Sequence, residues 1–335
     1  MGKKLNIAVA GLGRMRKRHV LTLSTRVARA NVVAVCSTWE PELEWARDAY
    51  KDTNITLYDS YDAMVEHPGL EAVWISSRAN VHAQQTLKAI QKRLHVLCEK
   101  PLSTDIEEAE HVVSVAEARP DLKVMAGYSR RFDASPFMVR STTCDLIDNT
   151  GFFVKYAALN GGMFVDAAIH DIDLSLYFMG EDLVPKSCFA IGTIAHHPEL
   201  RDLQDVDNGV GAHGHDVATE IVGTEGKMSI NLVPAVDKVV YANKSGWGHK
   251  VEPEYWERFT DAFALEANEF VDCILDEKPT PVGLDIGLKG LKIGWALQES
   301  LLTGTVVKFD EKFNRICQAA EGMGKFKTPL VGPKQ

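Results

Sequence analysis

The sequence lacks the features that mark disulfide-bonded, zinc-binding and membrane-spanning proteins. Its six cysteines are scattered and never form a CxxC pair, which argues against a disulfide framework or a zinc site and predicts reduced thiols inside the cell. No uncharged apolar run is long enough to cross a bilayer, and we see no internal repeat and no low-complexity tract. We therefore expect a cytoplasmic globular protein without a metal and without a membrane partner.

Positive charge is also scarce. The 37 Lys and Arg residues are outnumbered by 46 Asp and Glu, which gives a net charge of -9 and argues against nucleic acid or an anionic membrane as the main partner. The first residues, MGKKLNIAVAGLG, run directly into a strand-like segment, so we expect no signal peptide. The 335 residues allow one large domain or two ordinary ones.

Strand-like and helix-like segments alternate through the first part of the chain. The strand-like segments lie at 5–10, 31–37, 70–77, 94–100 and 122–128. The helix-like segments include 41–51, 81–92 and 105–118, and Thr104 is the expected N-cap of the last one. Such alternation predicts an α/β domain with a doubly wound parallel sheet, which we place at residues 1–128.

The pattern changes after residue 128, and we assign residues 129–335 to a second domain. Strand-like segments lie at 186–195, 216–232 and 237–252, and TVVKFD is a further short strand. Helices are expected near 254–276 and 284–302. The GTEG stretch at 223–226 is typical of a hairpin turn. Strands in a run with few helices predict an α+β domain with a mostly antiparallel open sheet.

A glycine loop, GLGRMR at 11–16, follows the first strand and opens a helix, which is the position of a dinucleotide-binding loop. Gly11 permits a tight turn, and Gly13 lets the backbone approach a pyrophosphate. Arg16 occupies the third glycine position, so the full fingerprint fails and a merely structural turn is the alternative.

The tip of the second strand bears on the choice of cofactor. Residues 36–40 read Cys-Ser-Thr-Trp-Glu, without an Asp at the tip and without a basic residue close behind it. Glu40 is expected to lie too far into the next helix to bind a ribose 2′-hydroxyl, whereas Arg14 and Arg16 could reach a 2′-phosphate. NAD is the favoured cofactor, and NADP is possible.

Two further stretches carry side chains suited to chemistry. In the helix-like segment 161–180, Asp166, His170 and Asp173 follow one another at spacings of four and three, which places them on one helix face. In CEKPLS, Lys100 stands at the end of a predicted parallel strand, where ligands bind, and Pro101 is a candidate for a cis peptide bond. The alternatives are a core helix with a satisfied histidine and a surface lysine before a turn. His213 and His215 could join Asp216 as metal ligands, but we interpret them as exposed turn residues.

These motifs, taken in order, resemble those of the Gfo/Idh/MocA oxidoreductase family. The resemblance covers nearly the whole chain and rests on GLGRM with the Lys-Arg-His that follows, on EKP, on GYSRRFD at 127–133 and on GGMFVDAAIHDIDL at 161–174. It is greatest for the inositol 2-dehydrogenases. It implies an N-terminal Rossmann domain, a second domain whose open sheet serves in a homo-oligomer (a dimer or tetramer), a nicotinamide cofactor, and a cyclic polyol or sugar substrate that is oxidised at a secondary hydroxyl.

The resemblance also implies roles for individual residues. Lys100, Asp166 and His170 match the catalytic residues, and Arg130 and Asp173 match positions that contact substrate hydroxyls. A general base near neutral pKa suits His170, and Lys100 is suited to stabilise developing alkoxide charge. The expected cofactor-binding residues are Gly11, Gly13, Arg14, Met15, Ser37, Glu99 and Lys100.

The chain departs from the family pattern at two junctions. Ser135 joins Pro136 where the family carries a linking helix, and Gly211 joins Ala212 where it carries two strands. Loss of strands exposes sheet edges and apolar faces, so we expect a protein that is less stable than its relatives and prone to self-association through the second-domain sheet. A nucleotide-binding regulatory or catalytically impaired family member is therefore the alternative hypothesis, and a glycosidase that uses NAD for transient oxidation is a third.

Overall fold

The computed structural model describes residues 2–13, 16–132, 140–144, 160–192, 216–223, 226–230, 235–243, 246–251 and 255–316. The chain divides into two compact units. The first comprises Met1–Phe132 and Asp261–Leu291, and the second comprises Asp133–Thr260 and Lys292–Gln335.

The first unit is built on a six-stranded parallel sheet. Its strands are β1 (Leu5–Ala10), β2 (Ala30–Cys36), β3 (Thr56–Tyr58), β4 (Ala72–Ile75), β5 (His95–Glu99) and β6 (Val124–Gly127). The strand order is β3-β2-β1-β4-β5-β6, and every neighbouring pair is parallel. This is the Rossmann order, so the predicted fold class is confirmed. The sequence missed β3, because a half-buried edge strand of three residues has no readable period.

Helices connect the strands of this sheet. They are α1 (Arg16–Arg26), α2 (Glu40–Ala49), α3 (Tyr61–Met64), α4 (His82–Gln91) and α5 (Ile106–Glu117). All four residues of β4 are buried, as are all four of β6, which is the pattern of strands covered on both faces.

The N-cap of α5 is Asp105 and not Thr104, so the predicted cap is wrong by one residue. The Asp105 carboxylate accepts a hydrogen bond from the Glu108 backbone N–H at 2.9 Å. The Ser103 hydroxyl in turn donates to the Glu108 carboxylate at 2.9 Å, which holds this glutamate over the first turn. The tertiary path of the chain before α5 decides which of two adjacent polar residues faces the helix end.

Replacing Asp105 by alanine is expected to lower the free energy of unfolding by about 1 kcal/mol, because the first turn loses the acceptor that satisfies its backbone N–H. Thr104→Ala, one residue away, is the matched control and should cost less. Chemical denaturation of the two variants against the wild type measures the difference. An equal or larger loss in Thr104→Ala would show that the sequence-predicted cap is the functional one.

The second unit contains most of the later strands and two adjacent short helices, α6 (Gly162–Asp166) and α7 (Ile169–Met179). Its described strands are β7 (Arg140–Cys144), β8 (Ser187–Cys188), β9 (Asp216–Gly223), β10 (Gly226–Ile230), β11 (Ala235–Asn243), β12 (Gly246–Val251), β13 (Val307–Phe309) and β14 (Arg315–Ile316). They form the antiparallel groups β10-β9-β7, β11-β12 and β14-β13-β8. Gly223 pairs with Gly226, so the predicted hairpin at GTEG is confirmed. The predicted strand at 186–195 is described up to residue 192, and within that part only β8 is a strand.

The helix predicted near 254–276 is divided into α8 (Tyr255–Arg258) and α9 (Thr260–Leu275), and the last long helix is α10 (Leu284–Thr303). Most of α9 belongs to the first unit, whereas the sequence-based division placed everything after residue 129 in the second domain. The reason is its aromatic face. The Phe263 ring meets the His19 ring edge-on at 5.7 Å, and the Phe270 ring meets the Trp74 ring edge-on at 6.2 Å.

None of the helices in the described part of the chain has the length and apolar content of a segment that spans a bilayer. The junctions at 135–136 and 211–212 lie outside the described residues.

Candidate active site

The glycine loop begins in a backbone conformation that only glycine adopts easily. Gly11 has a φ of +97°, and its N–H donates to the Cys36 carbonyl at 2.8 Å. A Cβ at this position would lie 2.7 Å from the Ser76 carbonyl oxygen and 2.8 Å from the Ser77 nitrogen. The turn is therefore pressed against the end of β4, where a side chain on Gly11 would not fit. This is the tight turn that the first glycine of a dinucleotide-binding loop provides. Arg14, Met15 and the side chain of Arg16 lie outside the described residues.

An acid of α2, which the sequence did not single out, reaches the tip of β2. The buried Ser37 hydroxyl donates to the carboxylate of Glu42, which is itself only 6% exposed. Glu40, by contrast, forms an exposed ion pair with Arg47 at 2.6 Å. A carboxylate held at the end of the second strand is the group expected to favour a free ribose hydroxyl over a phosphate. Glu42 could not be identified from the sequence because it lies in a helix-like segment, and the direction of its side chain depends on the fold.

Lys100 directly follows β5, as predicted, and its side chain is half-buried. The Lys100–Pro101 peptide bond is cis, which confirms that expectation. On the other side of Lys100, the Glu99 carboxylate forms an ion pair with His19 of α1 at 2.9 Å; the two side chains are 15% and 2% exposed. Arg130, in the 3₁₀ turn Ser129–Phe132 that follows β6, is 7% exposed. Gly11, Ser37, Lys100 and Arg130 thus all follow parallel strands, at the edge of the sheet where ligands bind.

A second buried acid lies in the same unit. Glu266 of α9 is fully buried, and neither of its carboxylate oxygens has a hydrogen-bond partner among the residues that the structure describes. Burial, and then the negative charge of Glu99, raise the pKa of Glu266 well above its usual range. Burial acts in the same direction on Glu99, but the hydrogen bond and charge of His19 and the charge of Lys100 outweigh it, so the pKa of Glu99 is lowered. Glu99 is therefore the ionised member of this pair and Glu266 the neutral one.

The stripe of Asp166, His170 and Asp173 is in the second unit and does not lie on one continuous helix. Asp166 ends α6, while His170 and Asp173 are in α7. Between them the Ala168 N–H donates to the Met163 carbonyl, five residues back, at 2.9 Å, which is the spacing of a wide turn. The predicted single helix at 161–180 is therefore wrong. The periodicity of apolar residues does not reveal a turn of this width, so the break could not be read from the sequence.

The three side chains of the stripe differ in accessibility. Asp166 and His170 are half-buried, and the Asn160 side-chain amide donates to the Asp166 carboxylate at 2.6 Å. Asp173 is only 1% exposed, so its assignment to substrate hydroxyls stays a prediction. Among the residues that the structure describes, no group of three or more His, Cys, Asp or Glu side chains is placed to hold a metal ion. His213 and His215 lie outside that part of the chain.

Comparison with known proteins is consistent with this geometry. The family model described as an oxidoreductase family with an NAD-binding Rossmann fold, GFO_IDH_MocA, matches residues 5–128. The solved structure of scyllo-inositol dehydrogenase from Lactobacillus casei, with bound NAD(H) and scyllo-inositol, is 31% identical. It superposes with a TM-score of 0.84 over 91% of this chain and 99% of that one. The chain belongs to the Gfo/Idh/MocA family. It is an oxidoreductase whose cofactor is NAD.

Two other members of the Gfo/Idh/MocA family extend the comparison. Inositol 2-dehydrogenase 1 of Paenarthrobacter aurescens is 30% identical over 82% of this chain and 87% of its own length. The scyllo-inositol 2-dehydrogenase (NAD(+)) of Bacillus subtilis is 28% identical over 93% of this chain and 98% of its own. That alignment runs over 348 positions, more than the 335 residues of the whole chain, so the relative has residues without a counterpart here.

Proposed function

We propose that the protein is an NAD-dependent dehydrogenase that oxidises one secondary hydroxyl of a cyclic polyol of the inositol type. The observation that carries the proposal is the similarity, over nine-tenths of the chain, to a scyllo-inositol dehydrogenase that binds NAD(H) and its polyol. The glycine turn at Gly11 and the lysine at the end of β5 support it. A homo-oligomer of two or four chains is part of the proposal.

The proposed chemistry needs a hydride acceptor and a proton acceptor. A bound nicotinamide would supply the acceptor for the hydride of the carbinol carbon. His170 takes the hydroxyl proton on an imidazole nitrogen, since the pKa of an unperturbed imidazole lies near neutrality. Lys100 stabilises the negative charge that develops on the same oxygen. The Asp166 carboxylate, oriented by Asn160, accepts a hydrogen bond from the substrate or from the ring. In ketone reduction each proton step runs in reverse.

Steady-state assays test the proposal, with a panel of inositols and aldoses and with NAD and NADP as alternatives. Turnover of at least one cyclic polyol is expected. NAD binding without turnover of any substrate would favour the second candidate, a catalytically impaired or regulatory family member. The Bacillus subtilis relative has residues without a counterpart in this chain, and this is the observation that favours the second candidate. Release of free sugar from aryl glycosides would favour a glycosidase.

NAD should be preferred over NADP, and Glu42→Gln should shift the NADP/NAD affinity ratio by about tenfold towards NADP. The reason is that the variant removes a fixed negative charge at the tip of β2, where a 2′-phosphate would otherwise be repelled. Glu40→Gln removes an exposed charge two residues away and serves as the control. Titration of both cofactors against tryptophan fluorescence gives the ratio. An unchanged ratio in Glu42→Gln would mean that another group reads this end of the ribose.

A further inference from the structure

His82 is a buried histidine for which the proposed reaction has no use. It is the first residue of α4 and is only 2% exposed. Its Nδ1 lies 2.8 Å from the Pro101 carbonyl oxygen, and its Nε2 lies 3.0 Å from the Ser77 carbonyl oxygen. Both nitrogens therefore face backbone carbonyls that belong to different loops.

Both loops are parts of the candidate site. Pro101 immediately follows Lys100, so the Nδ1 contact holds the peptide next to the lysine. Ser77 follows β4, and its nitrogen would be 2.8 Å from a Cβ on Gly11, so the Nε2 contact is with the carbonyl of the same residue whose nitrogen lies beside the glycine turn. The His82 ring is the bridge between these two backbone segments.

The chemistry of the ring makes the two contacts separable. A carbonyl oxygen can only accept, and a neutral imidazole donates from one nitrogen, so both contacts are hydrogen bonds only in the imidazolium. Burial lowers the pKa of His82, while the Pro101 and Ser77 carbonyls and the charge of Glu99 act in the opposite direction and Lys100 adds to the lowering. The balance lies below the usual value, so the shorter contact, to Pro101, is the stronger candidate for the permanent hydrogen bond.

We propose that His82 is a positioning residue, which holds the Lys100–Pro101 segment through the hydrogen bond that its Nδ1–H donates to the Pro101 carbonyl. The inference rests on the proposed dehydrogenase function only for its kinetic readout. Through Pro101 the ring acts on the position of Lys100, and hence on the chemical step. In the neutral ring Nε2 carries no proton, so its contact with the Ser77 carbonyl is a packing contact and not a hydrogen bond.

Two amide variants separate these contacts. Asparagine places its side-chain amide near the position of Nδ1, and glutamine places its amide near the position of Nε2, so each keeps one donor. His82→Gln should lower kcat by about 10²-fold, the effect of a misplacement of about 1 Å, with little change in the Michaelis constant for NAD. His82→Asn keeps the donor at Nδ1, so kcat and that constant should both stay within a few-fold of the wild type. His82→Leu should lose kcat as His82→Gln does.

Hydrogen exchange gives a readout that does not depend on turnover. Peptides covering 98–103 should exchange faster in His82→Gln and His82→Leu than in the wild type, whereas in His82→Asn they should exchange as in the wild type. The same substitutions at His111, an exposed histidine of α5, are the controls and should leave this exchange unchanged. If the wild type turns over no polyol but this exchange pattern is present, the proposed function fails and the positioning role stands.

Equal losses in the Asn and Gln variants, with exchange at 98–103 rising equally in both, would overturn the proposal, because they would show that His82 only fills space. A His82→Leu variant with the same kinetics and the same hydrogen exchange as the wild type would overturn the proposal as well. If His82→Leu does not fold, the comparison of the two amide variants decides alone.

Discussion

Replacing Lys100 or His170 by alanine is expected to lower polyol turnover by about 10²–10⁴-fold in each case, the usual effect of removing a positioned acid, base or charge-stabilising group. Cofactor affinity should stay close to that of the wild type in His170→Ala, since this residue lies on α7 of the second unit, outside the Rossmann sheet. The measurement is steady-state kinetics with the best polyol of the panel, together with NAD titration by tryptophan fluorescence.

The double variant tests whether the two residues serve one hydroxyl. If they do, its loss should be smaller than the product of the two single losses, because groups that act on the same reacting atom are not additive. His111→Ala and Lys51→Ala, both at exposed positions, control for the loss of a histidine and a lysine elsewhere on the surface. Near-normal turnover in His170→Ala would remove this residue from the mechanism and leave it as a structural histidine of α7.

Glu266→Gln is expected to make the protein more stable at neutral pH, by about 1–3 kcal/mol, the cost of taking up one proton on folding at one to two pH units above the ordinary pKa of the carboxyl. The wild-type carboxyl is fully buried without a hydrogen-bond partner in the described part of the chain, and Glu99 opposes its ionisation. The wild type must therefore keep Glu266 protonated to stay folded, whereas the unfolded chain releases this proton. The amide has nearly the same shape and never ionises.

The effect has a defined dependence on pH. The pKa of Glu266 is raised in the folded state above its ordinary value of 4.5, so the folded state binds the extra proton. Its contribution to stability is complete below the unfolded pKa and declines as the pH rises from there towards the folded pKa. Glu99 behaves oppositely: its lowered pKa contributes stability above its ordinary value of 4.5, and this is lost in acid. The advantage of Glu266→Gln should therefore be near zero in mild acid and grow towards neutrality.

Urea unfolding at a series of pH values measures this advantage. Glu269→Gln is the matched control, because Glu269 is an exposed acid on the same helix, three residues further along. Its stability should follow that of the wild type at every pH. A Glu266→Gln protein that is less stable than the wild type at neutral pH would mean that Glu266 is ionised and paired in the folded protein.

The sequence by itself determined the Rossmann sheet and the location of its functional edge. Alternating apolar runs and amphipathic segments are local signals, and parallel strands joined by helices have few ways to pack. The glycine at position 11 and the lysine at position 100 could be read for the same reason, because each directly follows a strand whose carboxyl end is a ligand-binding edge. The Asp166–His170 pair was singled out by its spacing of four residues and by the family motif, and its catalytic role stays a prediction.

Only the tertiary structure decided which polar side chains are turned inwards. Glu266 and Glu42 read as ordinary helix acids, and His82 reads as the polar first residue of a helix, since their neighbours in the sequence do not show what they face. Their surroundings are set by residues distant in the chain: the charge of Glu99 acts on Glu266, and the Pro101 carbonyl contacts His82. The wide turn at Ala168 and the attachment of α9 to the first unit are decided in the same way. Local sequence specifies whether a segment forms a helix or a strand. The electrostatic surroundings of a buried charge or hydrogen-bond donor are set by the elements that the fold packs against it.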